Sequence, residues 1–180
     1  MSEIAHYEVK DLIQKAKQGD LQAQHLLCYA YSTGDGVELD NKKAIDWGIK
    51  AMEQGCSTST HNLATIYRDQ QDYSLAFKYY KKAYEMGSIS SKINIANYYQ
   101  FGIGVDKDSK KAIQLYKEYL ALKDEPEGLK QDCFYYLGLA YLIGDGIKKC
   151  LKAAKEYFEA ANKDNDHLAA HEMLLLLGVN

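Results

Sequence analysis

The chain has 180 residues, 47% of them hydrophobic and 26% charged, the balance of an ordinary folded domain and not of a disordered or low-complexity polypeptide. Its formal charge is −3, with Lys and Arg interleaved among acids, so there is no basic footprint for nucleic acid. No segment approaches the ~18 uninterrupted apolar residues of a membrane span, and the first ten residues lack the basic start, apolar run and cleavage site of a secretory signal. No membrane or nucleic-acid partner is therefore expected, and the expected location is the cytoplasm.

In chain order, a leading helix is predicted over residues 7–18, with Val9, Leu12, Ile13 and Ala16 on one face. A motif follows that is written four times, over residues 21–56, 57–88, 89–130 and 131–166. The small residues Ala44, Ala76, Ala112 and Ala154 mark its copies, with steps of 32, 36 and 42 residues. A period of this size describes stacked helix pairs. Each copy opens with a helix A whose core slots hold Leu27, Ala30 and Tyr31; Leu63, Ile66 and Tyr67; Ile95, Tyr98 and Tyr99; and Leu137, Ala140 and Tyr141. One slot is always small (Cys28, Ala64, Ala96, Gly138), which permits close approach of a neighbouring helix.

Turns follow in copies one, three and four: Gly34-Asp35-Gly36, Gly102-Ile103-Gly104 and Gly144-Asp145-Gly146. Their glycines suit left-handed positions after a helix. Asp40, Asp72 and Asp108 then stand where helix B needs an N-cap, while copy four has Cys150 there. In helix B, Trp47, Tyr79, Leu115 and Tyr157 read as knobs between neighbouring repeats, and nearly all sixteen tyrosines read as structural. Copy two lacks the Gly-x-Gly loop. Between copies three and four, Leu122–Lys130 contains a six-residue insertion with the one proline, Pro126, and reads as a surface loop. A trailing helix is predicted over residues 167–177, and its run Leu174–Leu177 offers a route to self-association. With no obvious linker, residues 1–180 read as a single domain.

The four cysteines, Cys28, Cys56, Cys133 and Cys150, form no Cys-x-x-Cys pair and occupy different repeat positions. Cys133 and Cys150 belong at opposite ends of their hairpin, beyond the reach of a disulfide. Free thiols are expected.

The string Ala-Gln-x-x-Leu-x-x-x-Tyr-x-x-Gly-x-Gly-Val-x-x-Asp-x-x-Lys-Ala-x-x-Trp-x-x-x-Ala, beginning at Ala23 and closed by Gly55, resembles the Sel-one-like repeat (SLR), a relative of the tetratricopeptide repeat. The resemblance covers residues 8–177; copy two looks more like a plain tetratricopeptide unit. It implies an all-α, right-handed α-solenoid of about ten helices, whose A helices line a concave face, in proteins that act as adaptors or scaffolds. Bacterial members include signalling regulators and immunity proteins that neutralise a cognate toxin.

On that face, the register places Gln22, His25 and Tyr29 of copy one; His61, Thr65 and Arg68 of copy two; Asn97, Gln100 and Phe101 of copy three; and Tyr135 and Leu139 of copy four. This mixed polar and aromatic set suits a protein partner, where Tyr and Arg anchors dominate affinity. The tetratricopeptide carboxylate clamp needs Lys and Asn here; only Asn97 fits, so a C-terminal carboxylate is not the expected ligand.

Catalytic signals are weak. His167 and His171 stand at i, i+4, a spacing zinc sites use, but the stretch aligns with the start of copy one, and repeat divergence accounts for it. None of the nine serines is followed three residues later by lysine, and Gly-x-Ser-x-Gly and phosphate-loop motifs are absent. The regular cysteine pairs of family members associated with β-lactams are also missing. The sequence thus reads as a bacterial, non-enzymatic protein-interaction scaffold without metal or cofactor. An immunity protein is its narrower alternative, and a hydrolase or metal-dependent enzyme the reading these absences disfavour.

Overall fold

A computed structural model describes residues 9–123 and 126–178, and among them forms ten α-helices and no strand. They are α1 (Val9–Lys17), α2 (Leu21–Thr33), α3 (Asn41–Glu53), α4 (Ser57–Asp69), α5 (Tyr73–Glu85), α6 (Ser91–Phe101), α7 (Ser109–Leu120), α8 (Glu127–Ile143), α9 (Leu151–Ala161) and α10 (Leu168–Leu176). The expected A helices are α2, α4, α6 and α8; the B helices are α3, α5, α7 and α9. Residues 7 and 8 of the expected leading helix lie outside the described residues, as do Asp124 and Glu125 of the insertion.

The helices gather in two compact units, one ending at Ser91 and one beginning at Lys92. In the first, each of α1 to α4 packs on the next helix in sequence. In the second, α7 packs on α8, α8 on α9 and α9 on α10. There α6 is tied to α7 by the Tyr116 hydroxyl, which donates to Asn97 Oδ1 at 2.6 Å, and by Lys111 Nζ, which donates to Tyr99 Oη at 2.9 Å.

Every hairpin closes in the same way. The amides of Asp40, Asp72, Asp108 and Cys150 donate to the carbonyls of Tyr31, Tyr67, Tyr99 and Tyr141 at 2.9–3.0 Å. The three aspartates then cap their B helices, accepting from the amides of Lys43, Leu75 and Lys111 at 3.0, 3.1 and 3.0 Å. The tyrosine at the end of each A helix is covered by the first two turns of helix B. Lys43 and Lys111 lie over Tyr31 and Tyr99, and Tyr79 and Tyr157 stack on Tyr67 and Tyr141.

Cys150 has nearly the backbone of Asp40 (φ −152° against −149°) but makes no side-chain cap bond. Cys150→Asp is therefore expected to stabilise the protein by about 1 kcal/mol. The check is a raised urea midpoint at unchanged slope.

The four marker alanines are fully buried. The knob position shifts by one residue from the expectation. Tyr80, Tyr116 and Phe158, one residue beyond the expected Tyr79, Leu115 and Tyr157, are fully buried, while the expected residues and Trp47 are half-buried. The pitch of 3.6 residues explains this: the i+4 slot after the marker alanine stays on its face, and the i+3 slot turns toward the edge. Copy one places Gly48 in the deep slot, and a Cβ there would stand 2.8 Å from Leu63 Cδ2 and 2.9 Å from Cys28 Sγ. Small residue and large neighbour alternate between helices.

The insertion departs from its reading as a loop. Helix α8 spans 17 residues against 13 for α2 and α4, so Glu127–Lys130 is helical. Pro126 occupies the N-cap, and its carbonyl accepts from the Lys130 amide at 3.3 Å. Proline tolerates a helix start because no amide bond is lost there, and Glu127 in the first turn meets the positive end of the helix dipole.

Candidate functional site

Two of the expected face residues are histidines already hydrogen-bonded to serines. His25 Nδ1 hydrogen-bonds Ser59 Oγ at 3.0 Å, and His61 Nδ1 hydrogen-bonds Ser91 Oγ at 2.8 Å. Both serines are fully buried, and the first bond joins α2 to α4 within the first unit. His61 also meets Tyr80 edge-on at 5.3 Å, and the Thr65 and Tyr80 hydroxyls are 3.3 Å apart.

Burial, reinforced by Arg68, holds His61 below the ordinary imidazole value of 6.5. Below pH 6.5 the unfolded chain then takes up protons that the folded chain refuses. The contribution of this site is present above that pH and is lost as pH falls through 6.5 toward the folded value. Urea midpoints are expected to drop between pH 7.5 and 5.5, and His61→Gln to flatten that slope. An equal slope in the variant would assign the loss to other groups.

The other expected face residues differ in availability. Gln22 and Tyr29 are exposed on α2. Arg68 donates through Nε and Nη2 to Asp69 at 3.0 and 2.9 Å, an exposed pair. Asn97 accepts the Tyr116 hydroxyl, as described. Gln100 departs from the expected open position: it is 7% exposed and donates to Asp145 Oδ2 at 2.9 Å, because its slot faces the loop of the next copy. Phe101 is exposed, with Tyr136 edge-on at 5.8 Å. Tyr135 lies against Phe158 and His167, and Leu139 is half-buried.

Each unit brings part of this set together in a cleft between consecutive A helices. In the first unit, Tyr29, Ser32 and Thr33 of α2 and Asn62, Thr65 and Asp69 of α4 line about 420 Å³, closed by Leu39 and Asn41. In the second, Gln100 and Phe101 of α6 and Tyr136, Leu139 and Ile143 of α8 line about 190 Å³, with Lys107 and Asp145 at its edge. The clefts use corresponding slots with different side chains: Asn62, Thr65 and Asp69 in the first unit stand where Tyr136, Leu139 and Ile143 stand in the second. Asn62, Tyr136 and Ile143 were missed from the sequence. Their repeat slots, counted from the start of helix A, carry the only signal that could have found them.

Burial pushes the Cys28 and Cys133 thiols up to about 12, so neither is poised as a nucleophile. All four cysteines are free. Among the described residues no group of three or more His, Cys, Asp or Glu side chains is arranged to hold a metal ion. His167 is the N-cap of α10, its Nδ1 accepting from the Ala170 amide at 3.1 Å and its Nε2 lying 3.5 Å from Asp132. His171 Nδ1 lies 3.5 Å from Asn162 Nδ2. On α10, Leu168, Leu175 and Leu176 are exposed. No described helix is long and apolar enough to cross a membrane.

The Sel1 repeat model matches residues 21–56, 60–88, 89–118 and 135–166. The chain belongs to the Sel1 repeat family. The gap between the last two matches holds the insertion and the extension of α8, where this chain departs from the Sel1 repeat. A sel1-like repeat-containing protein, L21, of Acanthamoeba polyphaga mimivirus is 27% identical over 131 residues, 73% of this chain and 23% of its own length. Among solved structures, c5321, a protective antigen of uropathogenic Escherichia coli with an SLR fold, matches 89% of this chain at 28% identity and a TM-score of 0.75. A Sel1 repeat protein from Oxalobacter formigenes matches 92% at 26% identity and a TM-score of 0.71. The chain spans 34% and 66% of those two proteins. The all-α class of helix-turn-helix repeats is thus the SLR fold, and Sel1 repeat proteins are in general protein-interaction scaffolds.

Proposed function

We propose that this chain is a non-enzymatic adaptor that binds a partner protein through its A-helix face, in a single solenoid domain over residues 1–180. The observation that carries the reading is the recurrence, in both units, of a cleft between consecutive A helices at corresponding slots. Side chains that complete the core leave Tyr29 and Phe101 exposed there. A rigid face of this kind loses little entropy on association. The cytoplasm is the proposed location. The exposed α10 leucines supply a self-association surface, for which the expected result is concentration-dependent mass by light scattering.

The test is site-specific photocrosslinking of the full chain in source-cell lysate. Probes at Tyr29 and Phe101 are expected to capture the same partner set, and probes at the exposed helix B residues Lys78 and Glu159 to capture none of it. Equal capture from both faces would overturn the assignment. A single partner held at nanomolar affinity favours the immunity reading, and several weaker ones the adaptor.

A further inference from the structure

The two clefts share slots but not charge. The segments bounding the first, residues 33–43 and 69–75, carry two lysines against five acids. Those bounding the second, residues 101–111 and 143–152, carry six lysines against three aspartates in a chain whose overall charge is −3. Two of those aspartates are committed locally. Asp108 caps α7, and Asp145 accepts from Lys107 Nζ at 2.8 Å and from Gln100. Burial pushes the Asp145 carboxyl up, but hydrogen bonds from Lys107, Ser109 and Gln100 outweigh it and hold the group ionised.

The two basic segments are adjacent. Gly146 lies against the backbone of Ser109 and Lys110, and Gly144 against Lys149. Lys107 lines, and the two adjacent segments that carry the other lysines bound, a cleft whose mouth holds Phe101, 51% exposed, and Ile143, 65% exposed, over half-buried Tyr136 and Leu139. Gln100, which also lines the cleft, keeps its Oε1 buried with no donor among the described residues.

From this we infer that the cleft between α6 and α8 is a docking site for an extended segment of a partner protein in which one aromatic or large aliphatic side chain is flanked by Asp and Glu. The inference deepens the adaptor reading and rests on it. A volume of about 190 Å³ admits one such side chain, Tyr136 and Phe101 supply an aromatic wall, and the lysine rim selects the flanking charge. The first cleft, bounded by acids, disfavours the same segment.

The experiment is selection of a random peptide library on the immobilised full-length chain, followed by anisotropy titration of the enriched peptides. Peptides with an apolar residue between acidic ones are expected to emerge. Ile143→Asp is expected to weaken them about tenfold or more, and Lys148→Glu with Lys149→Glu to weaken them and reduce their salt dependence. Tyr29→Asp should leave them unchanged. All of these positions are exposed, so circular dichroism should show every variant folded. Absence of enrichment, enrichment of peptides without acidic residues, or equal binding to Ile143→Asp overturns the inference. Ile143-dependent binding to phosphatidylserine vesicles in place of peptides overturns it in favour of a lipid surface. If photocrosslinks from Tyr29 and Phe101 persist while the peptide result fails, the adaptor reading stands and this site alone is lost.

Discussion

Phe158→Ala is expected to destabilise the protein by about 3–5 kcal/mol, the range for removing a fully buried aromatic ring. Phe158 is fully buried among Ala154, Ala161, Ala170 and Leu174, with Tyr135, Leu139 and Met173 packed against that cluster. One wall of its site is the absent side chain of Gly138, where a Cβ would stand 2.7 Å from the ring. Gly138→Ala alone is therefore expected to cost about 1–3 kcal/mol through overpacking, despite the higher helix propensity of alanine. The double variant should cost less than the sum, because the new methyl enters space the ring has left. The measurement is a double-mutant cycle by urea unfolding. Strict additivity would show that residues 138 and 158 do not share one packing site.

That pair also shows how the fold was legible. The small slot holding Gly138 and the Gly144–Gly146 turn follow from 3.6-residue periodicity and turn chemistry, both local, and the copies confirm one another. The same reasoning located the caps of α3, α5 and α7. It failed where a residue's surroundings come from another repeat. His25 occupies an outward slot, yet the next A helix brings the buried Ser59 to it, and Gln100 is drawn inward by Asp145 of the following loop. Slot alone cannot distinguish a polar side chain awaiting a partner from one already paired across repeats. The α8 extension was hidden for a different reason: the one proline suggested a break, but at an N-cap it begins a helix.

The candidate site was legible only in part for the same reason. Tyr29 and Phe101 are exposed, and each lines a cleft between consecutive A helices. The cleft walls supplied by Tyr136 and Ile143 need the spacing between consecutive A helices, which no single copy encodes. Charge was readable throughout, but it gains meaning only once the loops are seen to stack.

Gly146→Ala is expected to be the most damaging single-methyl change in these loops. At φ +72° an alanine pays a left-handed penalty of about 1–2 kcal/mol. Its Cβ would also stand 2.7 Å from the Ser109 carbonyl carbon and 2.8 Å from Ser109 Cβ. The first of these is backbone at the start of α7 and cannot swing aside, which adds about 1–3 kcal/mol. Gly34→Ala isolates the first contribution. Its φ is +76°, but its nearest neighbours stand at 3.7 Å, ordinary contact. Urea unfolding should therefore rank Gly146→Ala well below Gly34→Ala, with the difference reporting the contact between the fourth-copy loop and α7. The same change should weaken the peptides selected on the α6–α8 cleft, because it moves the loop that carries Asp145 and the lysines beyond it. Equal destabilisation of the two variants would mean that the loop of the fourth copy does not rest on α7, and the lysine rim would then lose its alignment with the cleft.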